Sequence, residues 1–146
     1  PRATPTTDYM DAADDYHGLG GKPAAARAAG VRSLFRAHET ALLQPLLDFL
    51  VQHPKVRLIG RTQAGNRAPT VTFTVKGQTS AAVASALAEA GIGAGVGNFY
   101  AYRLVKALGI DPDDGAVRVS FVHYTSKDEV DRLLRALADI LAAPGA

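Results

Sequence analysis

The sequence predicts an α+β domain, a small, mainly antiparallel sheet with helices packed over one face. Two segments alternate apolar and polar residues as half-buried strands do: Val71, Phe73 and Val75 among threonines, and Val117, Val119 and Phe121 around Arg118 and Ser120. Other segments repeat apolar residues at helical spacing, above all Val130, Leu133, Leu134, Leu137 and Leu141. Elements follow one another as helix, strand, strand, helix, strand, helix, strand, helix, an order that suits helices layered on an antiparallel sheet.

In chain order, residues 1–8 are rich in Thr and Pro and read as an extended lead-in. Apolar residues at 9, 10, 12, 13 and 16 predict a short helix ended by Gly18, Gly20 and Gly21. Residues 23–30 are alanine-rich and fit either helix or linker. From Leu34 to Val51 a wide apolar stripe predicts a longer helix, with Pro45 kinking it rather than dividing it, and His53-Pro54 stopping it. A short strand over 55–60, a turn over 61–69 and the strand 70–75 come next. Thr79 or Ser80 caps a helix lined by Val83, Leu87 and Ala90. A glycine-rich strand and turn spans 91–97, a helix 99–108, and a turn 111–115 feeds the Arg118 strand. Ser126 and Glu129 then form a capping box for the last helix. The organisation is thus a lead-in over 1–8, one domain over 9–142 and a tail over 143–146.

Composition narrows the function. A chain of 146 residues buries roughly 68–70% of its unfolded surface, enough for a true core. Apolar residues at 47% and charged residues at 21% are ordinary for globular domains, and the net charge is +2. The Lys and Arg residues are scattered without interleaved aromatics, which argues against nucleic acid as a partner. Zero cysteines exclude disulfides, thiolate-ligated zinc and thiol catalysis within the chain. No run of 18 apolar residues and no signal-peptide pattern occurs, so the expected setting is cytoplasmic, away from membrane. Pro1 opens the chain and Met10 is its only methionine, so we expect a segment processed or cut away upstream.

The chemistry centres on Arg118. On a strand whose valines face the core, its side chain points to the opposite face. A guanidinium fixed on a stiff strand donates two parallel hydrogen bonds to a carboxylate. On spacing alone it also reads as an ordinary surface arginine. The glycines at 91, 93, 95 and 97 fit neither GxGxxG nor GxxxxGK[ST] and read as backbone that bends or passes close to a neighbour. No carboxylate pair is spaced for acid–base work, and no His/Asp/Glu cluster has metal spacing. His17 and His53 sit at element ends and read as solvent-facing. His38 lies mid-helix and reads as a satisfied, partly buried residue.

The order GxVRVSxxHY with the capped EVDRLL helix, following Gly97-Asn-Phe-Tyr-Ala101, resembles the C-terminal segment of class V aminotransferases. Within them it is most similar to the cysteine-desulfurase-like branch of pyridoxal-phosphate (PLP) enzymes. The similarity spans nearly the whole chain but only the C-terminal part of a full-length member. The resemblance implies a PLP-enzyme small domain in which Arg118 holds the α-carboxylate of an amino-acid substrate. His123, in a His-Tyr pair typical of that branch, and Asn98 and Tyr100 are further candidates for this site, although His123 and Tyr124 also fit a structural role. Partners implied are the large PLP-binding domain of the same protein and a second subunit in a homodimer.

Two departures stand out. Where desulfurases carry a loop with the persulfide-forming cysteine, this chain has Asn98, Phe99 and Tyr100, and sulfur transfer needs a thiolate. Where the family continues with Asn-Thr, this chain has Thr125-Ser126. The family's Schiff-base lysine and pyridine-nitrogen acid lie in the large domain. The lysines here (22, 55, 76, 106 and 127) read as turn or polar-face residues, so no PLP is expected on this chain alone. Two functions remain: a domain of a PLP-dependent transaminase, lyase or epimerase, or a stand-alone non-catalytic α+β module that binds a small anion or a partner protein.

Overall fold

A computed structural model describes residues 23–143. The lead-in 1–8, the helix expected over 9–16, His17, Lys22 and the last three residues of the tail lie outside the described residues. The elements are α1 (Ala24–Gln52), β1 (Val56–Ile59), β2 (Thr70–Val75), α2 (Ser80–Glu89), β3 (Gly95–Gly97), α3 (Tyr102–Ala107), β4 (Ala116–Ser120) and α4 (Lys127–Ala142). The strands form one sheet in the order β1-β2-β4-β3, every neighbouring pair antiparallel. This is the expected α+β fold.

Register decides the two faces. Leu58 lies opposite Phe73, and Phe73 opposite Val117; Val71 lies opposite Val119. These side chains therefore share one face and meet the buried stripes of α1 (Leu43, Leu46, Leu47, Leu50), α2 (Val83, Leu87) and α4 (Val130, Leu133, Leu137, Leu141) in one core cluster. Thr72 lies opposite Arg118, and Arg118 opposite Gly95, on the other face. There Arg57 donates from Nη2 to the Leu108 carbonyl at 2.6 Å, fastening the end of α3 to that side.

Local chemistry explains the ends. The alanine-rich 24–30 stretch joins α1, a continuous 29-residue helix with Pro45 inside it. Pro45 and Ala41 are both exposed, so the helical bond that proline cannot donate is missing on the solvent side of α1. Thr79 caps α2 by accepting from the Ala82 N–H, and Ala90, expected to line that helix, is its exposed C-cap. A carboxylate adds to the cap: Asp114 accepts from the Ser80 N–H at 2.8 Å and from its hydroxyl at 3.2 Å, a favourable place for negative charge. Ser126 and Glu129 form the expected reciprocal capping box on α4. The other end of α4 is closed by Lys55, whose Nζ donates to the carbonyls of Leu141 (2.8 Å) and Ala143 (3.1 Å).

One element is shorter than expected. The helix foreseen over 99–108 begins only at Tyr102, because Phe99 and Tyr100 have φ of 52° and 62°, left-handed values that no α-helix contains.

Candidate functional site

Arg118 sits on the face of β4 away from the core and is exposed. Its guanidinium carbon lies 4.2 Å from the centroid of the Phe99 ring, a cation–π contact. Among the described residues no carboxylate pairs with it; the ion pair there is Lys127–Asp131 on α4. A charged fork backed by an aromatic ring and unpaired by any described acid is suited to an incoming anion.

The surroundings come from backbone as much as from side chains. Gly95 stands across the ladder from Arg118. A Cβ at Gly95 would come within 3.2 Å of Phe99 Cε1 and 3.7 Å of Arg118 Nε, so the glycine opens the slot in which ring and cation meet. Gly115 (φ 69°) passes so close to β3 that a Cβ there would lie 2.2 Å from the Gly97 carbonyl carbon. That close approach fixes β3, and with it the loop that follows, against the start of β4.

Asn98 shapes this loop. Its Oδ1 accepts from the Tyr100 N–H at 3.1 Å, and its Nδ2 donates to the Pro112 carbonyl at 3.2 Å. The Ala101 N–H closes the turn on the Asn98 carbonyl at 2.8 Å. Tyr100 extends fully into solvent, with 106% relative exposure. His123 lies half-buried beyond the C-terminal end of β4, stacked on Phe35 of α1 at 4.4 Å and edge-on to Tyr124. The structure thus brings Phe99 and Gly95 to Arg118, builds their loop with Asn98, and seats His123 in an aromatic contact with α1.

The other described histidines, His38 and His53, differ from expectation in exposure. His38 is exposed, and its Nε2 lies 2.7 Å from the Thr125 carbonyl, which accepts its proton. His53 is half-buried rather than solvent-facing, its Nδ1 accepting from the Lys55 N–H at 3.3 Å and its ring tilted against Phe49. Sequence reasoning missed the roles of Phe99, Gly95 and Asp114. A glycine four residues before an aromatic was visible; that it faces Arg118 depends on strand register, which spacing does not supply.

The described residues do not fit a PLP Schiff base. Lys55 is committed to the end of α4 and Lys127 to Asp131, while Lys76 and Lys106 are exposed. No group of three or more His, Asp or Glu that could hold a metal gathers among the described residues. Nor is any described helix long and apolar enough to cross a membrane.

The profile of the family described as aminotransferase class-V matches residues 25–133. This chain belongs to the class-V aminotransferase family. Among its relatives, the aminotransferase-like protein FGM3 of Gibberella zeae is 42% identical over 108 residues, 71% of this chain and 27% of that protein. A probable cysteine desulfurase of Pseudomonas putida is 37% identical over 101 residues, 69% of this chain and 23% of that protein. Among solved structures, a cysteine desulfurase from Thermococcus onnurineus superposes with a TM-score of 0.68 at 28% identity, covering 79% of this chain and 30% of that one. The chain therefore spans about a quarter of the length of these two curated relatives.

Proposed function

We propose that this class-V chain acts as the C-terminal small domain of a PLP-dependent enzyme, and that Arg118 binds the α-carboxylate of its amino-acid substrate. The observation that carries the reading is the exposed guanidinium on the face of β4 away from the core, resting on Phe99 and unpaired by any described carboxylate. Its planar fork matches a carboxylate bidentately. PLP, when bound, supplies the electron sink for chemistry at the substrate α-carbon. The lysine that holds it belongs, on this reading, to the large domain, and two such subunits pair as a homodimer. Tyr100, Tyr102, Leu104 and Leu108 leave apolar surface exposed near the loop and α3, a surface suited to those neighbours. Asn98 and Tyr100 form the loop that flanks the site, and His123, stacked on Phe35 of α1, takes a structural part beyond the end of β4.

The chain has no cysteine, and persulfide formation needs a thiolate. The proposed chemistry is therefore transamination, elimination or epimerisation of an amino acid rather than sulfur transfer through a thiol of this chain.

The test is Arg118→Lys in the full-length protein. An ammonium cannot reproduce the two parallel hydrogen bonds, and a charge-assisted hydrogen bond contributes roughly 1.5–3 kcal/mol. We expect kcat/KM to fall roughly ten- to a hundredfold, with the melting temperature nearly unchanged because the side chain lies outside the core. Unaltered turnover removes Arg118 from the site.

A further inference from the structure

We infer that Phe99 is a positioning residue for Arg118, holding the guanidinium plane so that its in-plane donors are presented to the carboxylate; this rests on the role proposed for Arg118 above. An arginine on an open sheet face has a long, rotatable side chain, and each torsion fixed on binding weakens the complex. A ring 4.2 Å from the guanidinium carbon restricts that motion in advance. It also leaves the N–H donors unspent for a carboxylate, because a phenyl ring offers no lone pair to accept them.

Three observations show that the ring is held there by design of the loop rather than by chance contact. First, Phe99 and Tyr100 are consecutive left-handed residues, a conformation that is a genuine outlier for bulky side chains. Such outliers persist where the surroundings over-determine them, and they cluster at functional sites. Second, Asn98 supplies that determination through its bonds to the Tyr100 N–H and the Pro112 carbonyl. Third, the ladder partner of Arg118 is a glycine, and any larger residue there would press on Phe99 Cε1. Left-handed backbone, side-chain brace and missing Cβ all converge on one ring beneath one cation.

The experiment uses the full-length protein with its cofactor. Binding is measured by calorimetry for the L-amino acid held most tightly among the standard twenty, and for the amine that lacks only its carboxylate. Phe99→Leu removes the ring's π face; Phe99→Tyr keeps it; Gly95→Val presses first on the ring and then on Arg118 Nε, with both side chains kept. We expect Phe99→Leu and Gly95→Val to weaken amino-acid binding roughly two- to fivefold, the range of an exposed cation–π contact. Affinity for the amine should stay constant, and Phe99→Tyr should match the wild type. In turnover the loss should appear in KM with kcat retained, the pattern of uniform binding. Equal weakening of both ligands by Phe99→Leu would mean general damage to the loop and overturn the inference. So would unchanged amino-acid binding in Phe99→Leu while Arg118→Lys loses it, an outcome that leaves the role of Arg118 standing. If Phe99→Leu proves unstable, Gly95→Ala replaces it as the mildest push on the ring, and no change in the amino-acid-to-amine ratio there counts against the inference. Unchanged binding in Arg118→Lys overturns both.

Discussion

On one side of β4, Val117 and Val119 are buried among leucines of three helices; on the other, Arg118 and Ser120 are exposed and the nearest support is a short loop. The two faces are held by different physics. The helix side is stabilised by apolar area removed from water, and its geometry follows from close packing. The Arg118 side rests on backbone devices: a glycine opposite the arginine, two left-handed residues in a row, and an asparagine whose amide stitches them to the next turn. Burial makes the first face stable. Its absence from the second leaves a cation accessible, at a conformational cost of roughly 1–2 kcal/mol for each left-handed residue.

This contrast is most easily broken from the helix side. Phe73 has 0% exposure and heads the fully buried side chains. Phe73→Ala should cost about 3–5 kcal/mol, transfer and cavity terms together. Its neighbour Thr72, on the Arg118 face, should lose only about 1 kcal/mol or less on change to Ala. Urea denaturation of both variants tests the difference; equal losses would mean that the two faces are not distinct in kind.

The second break is aimed at the backbone of the open side. Gly115→Ala places a Cβ 2.2 Å from the Gly97 carbonyl carbon and asks alanine to hold a φ of 69°. We expect a loss of about 3 kcal/mol or more, with β3 displaced from β4. Amide exchange at Val96 should accelerate more than exchange at Val71, since β2 and β4 remain paired through their own register. Uniform acceleration across the sheet would show that the Gly97–Gly115 approach supports the whole fold and not only the site.

The same division explains what the sequence disclosed. Thr70–Val75 was legible because alternation there is clean and one face is wholly buried. The capping box of α4 was legible because its partners stand three residues apart. The first turns of α1 were ambiguous because alanine favours helix without marking a face, and only Val31 in that part is buried. Asp114, which caps α2 from 34 residues away, was beyond local pattern. So was Phe99: a left-handed conformation usually announces itself through Gly or Asn, and here it falls on Phe and Tyr. The site resisted reading because tertiary context, rather than local propensity, sets its conformation. Arg118 itself was visible because it interrupts an alternating strand with a charge.

The smallest expected effect sharpens the contrast from a third place, the start of α4, where neither core burial nor strain is involved. Glu129 accepts from the Ser126 N–H at 2.8 Å and from its hydroxyl at 3.0 Å. The backbone bond is the leading cause, the hydroxyl bond the next, of a carboxyl pKa below its ordinary value. A carboxylate whose folded pKa is depressed contributes stability above its unfolded pKa and loses it as pH falls through the folded pKa. Wild-type stability should therefore carry a component that declines as the solution passes from neutral into the acidic carboxylate range. Glu129→Gln keeps a hydrogen-bond acceptor but removes the titration, so its stability should vary less across that range. Ser126→Ala removes the cap itself and should cost about 1 kcal/mol at neutral pH. In Ser126→Ala the acid-dependent component should shrink but survive in part, because the backbone N–H at position 126 remains to donate. Melting temperatures of the three proteins at neutral and acidic pH decide the matter: parallel pH profiles for wild type and Glu129→Gln would place the titrating group elsewhere.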